Sequence, residues 1–153
     1  LWSRGLGDVY KRQALEDPDI AYEIINDGVH LSNEVIQFIL KHAPHRVIAI
    51  TDAMSAAGGV DGAYTIGALG VTVKDGVARL SEGNSLAGST LTMDRTFNRL
   101  ISEFGLTIAQ ASFASSTLPA RTVGYSYIGE IREGALAEFV EVRNNAFYQT
   151  LIF

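Results

Sequence analysis

The run Val47-Ile48-Ala49-Ile50-Thr51-Asp52-Ala53 constrains this chain more than any other stretch. Four apolar residues, three of them β-branched, follow one another without polar alternation. Such a short run reads as a strand buried on both faces. Strands of that kind belong to parallel sheets covered by helices. In a barrel built from them, the carboxyl ends of the strands form the active site. Asp52 stands at that end, and His30 closes the preceding unit in a similar place.

The surrounding segments support a βαβ order. Ala21 to Asp27 reads as a helix end or a short strand, and Gly28 breaks it. Ser32 suits a helix N-cap, and Leu31 can staple onto Ile36. Val35, Ile36, Ile39 and Leu40 then share one helical face, and Pro44 ends the helix. After Asp52, Ser55 to Gly62 reads as a flexible loop. Val71–Lys74 and Val77–Leu80 flank Asp75-Gly76, which predicts a two-residue hairpin with Val73 opposite Ala78 and Val71 opposite Leu80.

A second helix is expected to begin near Ser89 or Thr90. It would carry Met93, Phe97, Leu100, Ile101 and Phe104 on one face and stop at Gly105. Thr107 caps a third helix running through Ala111 to Ser115, and Leu118-Pro119-Ala120-Arg121 starts a last short turn. From Ile128 onward the pattern turns strand-like, with strands at Phe139–Val142 and Tyr148 to Phe153 and with Gly134 and Asn144-Asn145 as punctuation.

At 153 residues the chain is long enough for one domain with a real core. Its formal net charge of −5, with acids and bases scattered, excludes a basic nucleic-acid footprint. The absence of cysteine excludes disulfide and thiolate chemistry. No apolar stretch approaches the roughly 18 residues that span a bilayer. Three histidines without a nearby acidic cluster make no metal site by spacing. His42 and His45 flank Pro44 at a helix end, where a histidine favours the helix dipole, and receive no function.

Three motifs occur in a telling order: Asp27-Gly28-Val29-His30, Val47 to Ala53, and Leu86-Ala87-Gly88-Ser89-Thr90-Leu91-Thr92-Met93. Together they resemble the C-terminal part of the N-acetylglucosamine-6-phosphate deacetylase family, metal-dependent members of the amidohydrolase superfamily. The resemblance runs from about Ala14 to the end. Leu1 to Gln13 does not match; it resembles translated sequencing-adapter or vector sequence and is set aside. The family's domain is more than twice this length, so the chain is expected to be part of a longer protein.

The resemblance implies an α/β fold. Residues 14–124 would be the C-terminal part of a (β/α)8 TIM-type barrel, and residues 125–153 strands of a small β-sandwich domain. Glu138 stands where the family usually has Asp in that small domain. The implied activity is hydrolysis of the N-acetyl amide of a sugar phosphate, a small-molecule substrate, in the cytoplasm. The implied assembly is a homodimer, with neither nucleic acid nor membrane as partner. The implied cofactor is a divalent metal ion such as zinc or iron. Its ligands, a glutamate and two histidines, lie upstream in the family, as does an arginine that reaches the phosphate from a neighbouring subunit. No residue here matches them, so the chain alone is expected to be inactive.

By the same resemblance, Asp52 acts as general base and then acid. Asp27, Gly28, Val29 and His30 contact the substrate, with His30 on its phosphate. Leu86, Ala87 and Gly88 line the pocket, just before a helix N-terminus whose free N–H groups suit anionic atoms. Each residue has a plainer reading. Asp52 could simply cap a loop, His30 could be an ordinary core-edge histidine, and residues 86–88 an entry loop with Ser89 as cap. Two other functions stay open: a different amidohydrolase such as a dihydroorotase-like enzyme, and a non-catalytic domain.

Overall fold

The computed structural model describes residues 13, 14 and 16–153. The adapter-like residues 1–12 therefore lie outside the described residues. The first unit is strand β1 (Tyr22–Ile25), helix α1 (Asn33–His42) and strand β2 (Val47–Ile50). β1 and β2 pair in parallel with Ile25 opposite Ile50, as the βαβ order requires. Val47, Ile48 and Ala49 are all buried, which is what a strand covered on both faces demands. Helix α1 buries Ile36 completely and leaves Val35 exposed. Ser32 holds the N-cap position, yet its side chain caps no backbone N–H. It bonds the Glu34 carboxylate instead, and that bond lowers the Glu34 pKa.

Between Asp52 and residue 86 the chain folds into a three-stranded antiparallel sheet, β3 (Gly62–Ile66), β4 (Leu69–Lys74) and β5 (Val77–Leu80). The predicted hairpin has the expected register, Val73 with Ala78 and Val71 with Leu80. Asp75 and Gly76 both take positive φ, as a tight hairpin turn of this twist requires. The sheet has its own small core of Met54, Ala56, Val71, Val73, Ala78 and Ala87.

Helix α2 (Met93–Ser102) begins later than the sequence suggests. Ser89 is not its cap but a pairing residue: Ala53 and Ser89 form a parallel bridge that extends the edge of β2. That pairing keeps residues 86–92 extended, and the helix starts only after Thr92. Met93, expected on the apolar face, is exposed, while Phe97 and Leu100 are buried.

The third helix and the last short turn are one continuous run: α3 (Ile108–Ser112), a π-helical turn (Phe113–Thr117) and α4 (Leu118–Thr122). Thr107 and Gln110 close a reciprocal capping box at its start. The wide turn ends just before Pro119, which has no N–H to offer and whose ring would crowd a regular α-turn.

The expected strands at Phe139–Val142 and Tyr148–Phe153 are present to within two residues, but the strand-like pattern that starts at Ile128 pairs only from Glu138. β6 (Glu138–Arg143) and β7 (Ala146–Ile152) form an antiparallel hairpin across Asn144 and Asn145, both at positive φ. Residues 128–137 instead form turns, punctuated by Gly129 and Gly134 at positive φ. The hairpin docks on α2, where the Phe147 N–H donates to Asn98 Oδ1 at 2.7 Å. Val142 and Phe147 pack on the main core of Ile24, Ile36, Val47, Ala49, Phe97, Leu100, Ala111 and Ala114. No helix among the described residues is long and apolar enough to cross a membrane.

Candidate active site

The parallel register fixes where the two acids emerge. Ile25 and Ile50 are the last paired residues, so Asp27 and Asp52 each sit two residues past the same end of adjacent strands. Neighbouring strands lie about 4.8 Å apart. The two motifs therefore open onto one edge of the fold.

The Asp27-Gly28-Val29-His30 motif is held from within. Asp27 Oδ1 accepts the N–H groups of Val29 and His30, each at 2.9 Å, and Oδ2 contacts His30 Nδ1 at 2.7 Å. Burial of Asp27 raises its pKa, but the His30 and Val29 N–H bonds and the His30 ring outweigh it, leaving the carboxyl below its ordinary range. An ionised carboxylate can only accept, so His30 carries its ring proton on Nδ1. Nε2 is then the nitrogen left for another group. Gly28, at φ +82°, makes the turn possible. Asn26, fully buried, donates from Nδ2 to Thr96 O at 3.1 Å and so ties the motif to α2.

Asp52 is held differently. Its φ is +48°, in the left-handed region that costs an ordinary L-residue roughly 1–2 kcal/mol. The other described non-glycine residues at positive φ, Asp75, Asn84, Asn144 and Asn145, all sit in chain reversals between paired segments. Asp52 alone among them follows a buried parallel strand. Strain of this kind concentrates at functional sites. The Asp52 side chain is exposed and makes no hydrogen bond or ion pair among the described residues. The plainer reading, a carboxylate spent on capping its own loop, has no bond to support it.

The third motif runs alongside this acid. The Ser89 N–H donates to Asp52 O at 2.8 Å, and the Met54 N–H donates to Ser89 O at 2.9 Å. Gly88, at φ +65°, presses so close that a Cβ there would stand 3.0 Å from Asp52 O. Residues 86–88 are not a helix entrance: the Ala87 N–H donates to Ala78 O, and Leu86 bridges Arg79. Sheet pairing has consumed the Ala87 N–H that a helix-end anion site would need. Sequence reasoning missed Ser89, treating it as a cap. Its place after a glycine that must approach another backbone was the available signal.

The loop after Asp52 is latched to the inserted sheet. Asp61 accepts the N–H groups of Asp75 and Gly76 at 2.6 and 3.0 Å, and Thr90 Oγ1 donates to Gly76 O at 2.5 Å. No hydrogen bond joins His30 to Asp52 or to residues 86–88 among the described residues. A cavity of about 840 Å³ lies elsewhere, between α2, the π-helical turn and the β6–β7 hairpin, and none of the sequence-predicted site residues lines it. Among the described residues no group of three or more His, Cys, Asp or Glu is arranged to hold a metal ion.

A carboxylate displayed past the carboxyl end of a buried parallel strand, with a second polar motif on the next strand, is the arrangement of an α/β enzyme. Comparison with known proteins gives the family. An Escherichia coli (strain K12) protein provisionally named N-acetylgalactosamine-6-phosphate deacetylase is 34% identical over 138 residues, 90% of this chain and 82% of that protein. The N-acetylglucosamine-6-phosphate deacetylase of Vibrio furnissii is 36% identical over 129 residues, 84% of this chain but only 32% of that enzyme. Among solved structures, an Asp-to-Ala variant of the Mycobacterium smegmatis N-acetyl-D-glucosamine-6-phosphate deacetylase, in complex with N-acetyl-D-glucosamine-6-phosphate, superposes with a TM-score of 0.83. It is 32% identical and covers 91% of this chain and 38% of that one. No protein-family model matches the chain. The chain belongs to the family of N-acetylglucosamine- and N-acetylgalactosamine-6-phosphate deacetylases. It spans about a third of the Vibrio relative's length and most of the K12 relative's.

Proposed function

We propose that this chain is the acid-bearing part of an N-acetylhexosamine-6-phosphate deacetylase. The enzyme hydrolyses N-acetylglucosamine 6-phosphate to glucosamine 6-phosphate and acetate. The observation that carries this reading is the Asp52 carboxylate, without a partner among the described residues and held at positive φ past the end of β2, in a chain of this family. Asp52 takes a proton from the attacking water as the new C–O bond forms. It returns that proton to the amide nitrogen as the C–N bond breaks.

With Nδ1–H committed to Asp27, His30 meets the substrate at Nε2, accepting from a hydroxyl or, when Nε2 is also protonated, donating to the phosphate. Asp27, Gly28 and Val29 form the turn that presents it. Leu86, Ala87 and Gly88 make a second wall, with Gly88 allowing close backbone approach.

The family resemblance calls for a divalent ion, zinc or iron, which when bound activates water. The described residues do not by themselves fit such an ion. We therefore place its ligands in the remainder of a longer parent chain. On the same footing we assign residues 14–124 to the end of a (β/α)8 barrel, which the parallel β1–β2 pair and its Ser89 extension suit. Residues 125–153 belong to a small β-domain. Cytoplasmic location and homo-oligomeric assembly rest on the resemblance alone.

The K12 relative favours one variant of this reading, in which the substrate is the galactosamine epimer. Acetate release by the parent enzyme from both hexosamine 6-phosphates decides between them, with dihydroorotate as a third substrate. Acetate from one or both sugars is expected. No acetate, together with opening of the cyclic amide, would overturn the assignment in favour of a dihydroorotase-like enzyme.

A further inference from the structure

We infer that Ser89 is a positioning residue for the Asp52 carboxylate, an inference that rests on the proton-transfer role proposed for that acid. Ser89 is only 2% exposed, although it is polar and lies beside an exposed acid. All of its hydrogen-bonding groups are directed at the chain around Asp52 or at its own segment. Its Oγ donates to Thr51 O, and its N–H donates to Asp52 O at 2.8 Å. Its C=O accepts the Met54 N–H at 2.9 Å, and its Oγ accepts the Leu91 N–H at 3.1 Å. Residues 51, 52 and 54 are thus pinned by the side chain and the two flanking peptides of one residue from across the sequence.

The consequence is conformational. An aspartate at positive φ relaxes toward the β or right-handed region unless its neighbours forbid it. The bonds on either side of Asp52 fix both peptide planes that define its backbone angles. The direction of its Cα–Cβ bond is then fixed too. Removing the Ser89 hydroxyl frees the Thr51 carbonyl and leaves the buried Leu91 N–H unpaired. The carboxylate then swings relative to the water it must deprotonate. Misplacement by about 1 Å costs on the order of a hundredfold in rate.

Thr90 supplies a matched control. It is the next residue, and its hydroxyl also donates to a backbone carbonyl, but to Gly76 at the tip of the β4–β5 hairpin rather than beside Asp52. The test compares Ser89→Ala, Thr90→Val and Asp52→Asn in the parent enzyme, measuring kcat, KM and thermal midpoint. Ser89→Ala is expected to lower kcat at least about tenfold with KM within about twofold, while Thr90→Val, assayed well below its thermal midpoint so that the insert stays folded, changes kcat less than about twofold. Ser89→Thr, which keeps the hydroxyl, recovers part of the loss. If Ser89→Ala does not fold, Ser89→Cys, a weak donor of similar size, is held to the same criterion. Equal losses in Ser89→Ala and Thr90→Val would show a merely structural role and overturn the inference. So would a normal kcat in Ser89→Ala while Asp52→Asn is inactive. A fully active Asp52→Asn would instead remove the underlying reading.

Discussion

His30 and Asp52 leave neighbouring strands at the same edge, yet they are secured in opposite ways. The bonds within the histidine motif come from Asp27, at most three residues away, with one anchor to α2 from the preceding Asn26. The bonds around Asp52 come from Ser89, some 37 positions along, and the intervening residues fold into a sheet that is itself latched by Asp61 and Thr90. A locally closed turn keeps its shape when distant contacts loosen. A site closed across the sequence depends on the whole insert being folded. At Asp52 the contacts that hold the positive φ are non-local, whereas the histidine is oriented by its own turn.

Glycine substitutions break this comparison most directly. Gly88 and Gly28 both have positive φ, but a Cβ on Gly88 meets the Asp52 backbone carbonyl at 3.0 Å, whereas one on Gly28 meets the end of the Arg99 side chain at 3.4 Å. Backbone cannot step aside, and a guanidinium can. Gly88→Ala is expected to destabilise by about 2–4 kcal/mol and Gly28→Ala by about 1–2 kcal/mol, read from urea unfolding. Equal effects would mean that the seam beside Asp52 is softer than its geometry indicates.

A smaller effect sharpens the local half. Asp27→Ala removes the acceptor for two N–H groups and the His30 ring, costing about 1 kcal/mol at neutral pH. The sign of its pH dependence follows from the depressed carboxyl. Its stabilisation is complete well above the ordinary value of 3.8 and is lost as the pH falls below that value through the folded-state pKa. The difference in stability between the native chain and Asp27→Ala should therefore shrink as the pH falls through this range. A difference that stays constant down to pH 2 would show that the carboxylate bonds contribute nothing. Nitrogen-15 shifts of the His30 ring give an independent check, since Asp27→Ala should release Nδ1 as the obligatory proton carrier.

The divide between local and distant also explains what could be read from the sequence. Val47 to Ile50 declared itself as a strand buried on both faces because periodicity is a local property, and Asp75-Gly76 declared its hairpin because turn chemistry is. The late start of α2 did not. Ser89-Thr90 has good capping residues, and only pairing with Ala53 shows why the chain stays extended through Thr92. The strands at Phe139–Val142 and from Tyr148 onward were legible as well, but the onset of the strand-like pattern at Ile128 was not. Residues 128–137 contain apolar side chains, but two glycines at positive φ turn the chain before pairing begins at Glu138. Of the site, the three motifs were legible with their residues. The bonds that hold Asp52 were not, because they join segments brought together only by folding.

The proton-transfer role of Asp52 is tested most directly by measuring substrate affinity and single-turnover rate of Asp52→Asn in the parent enzyme. The substitution keeps the size of the side chain and removes its ability to accept the proton. Affinity for N-acetylglucosamine 6-phosphate should stay within about threefold while the chemical step slows by about 10²–10⁴-fold. A chemical step within a few-fold of the native rate would contradict the account, whatever the affinity.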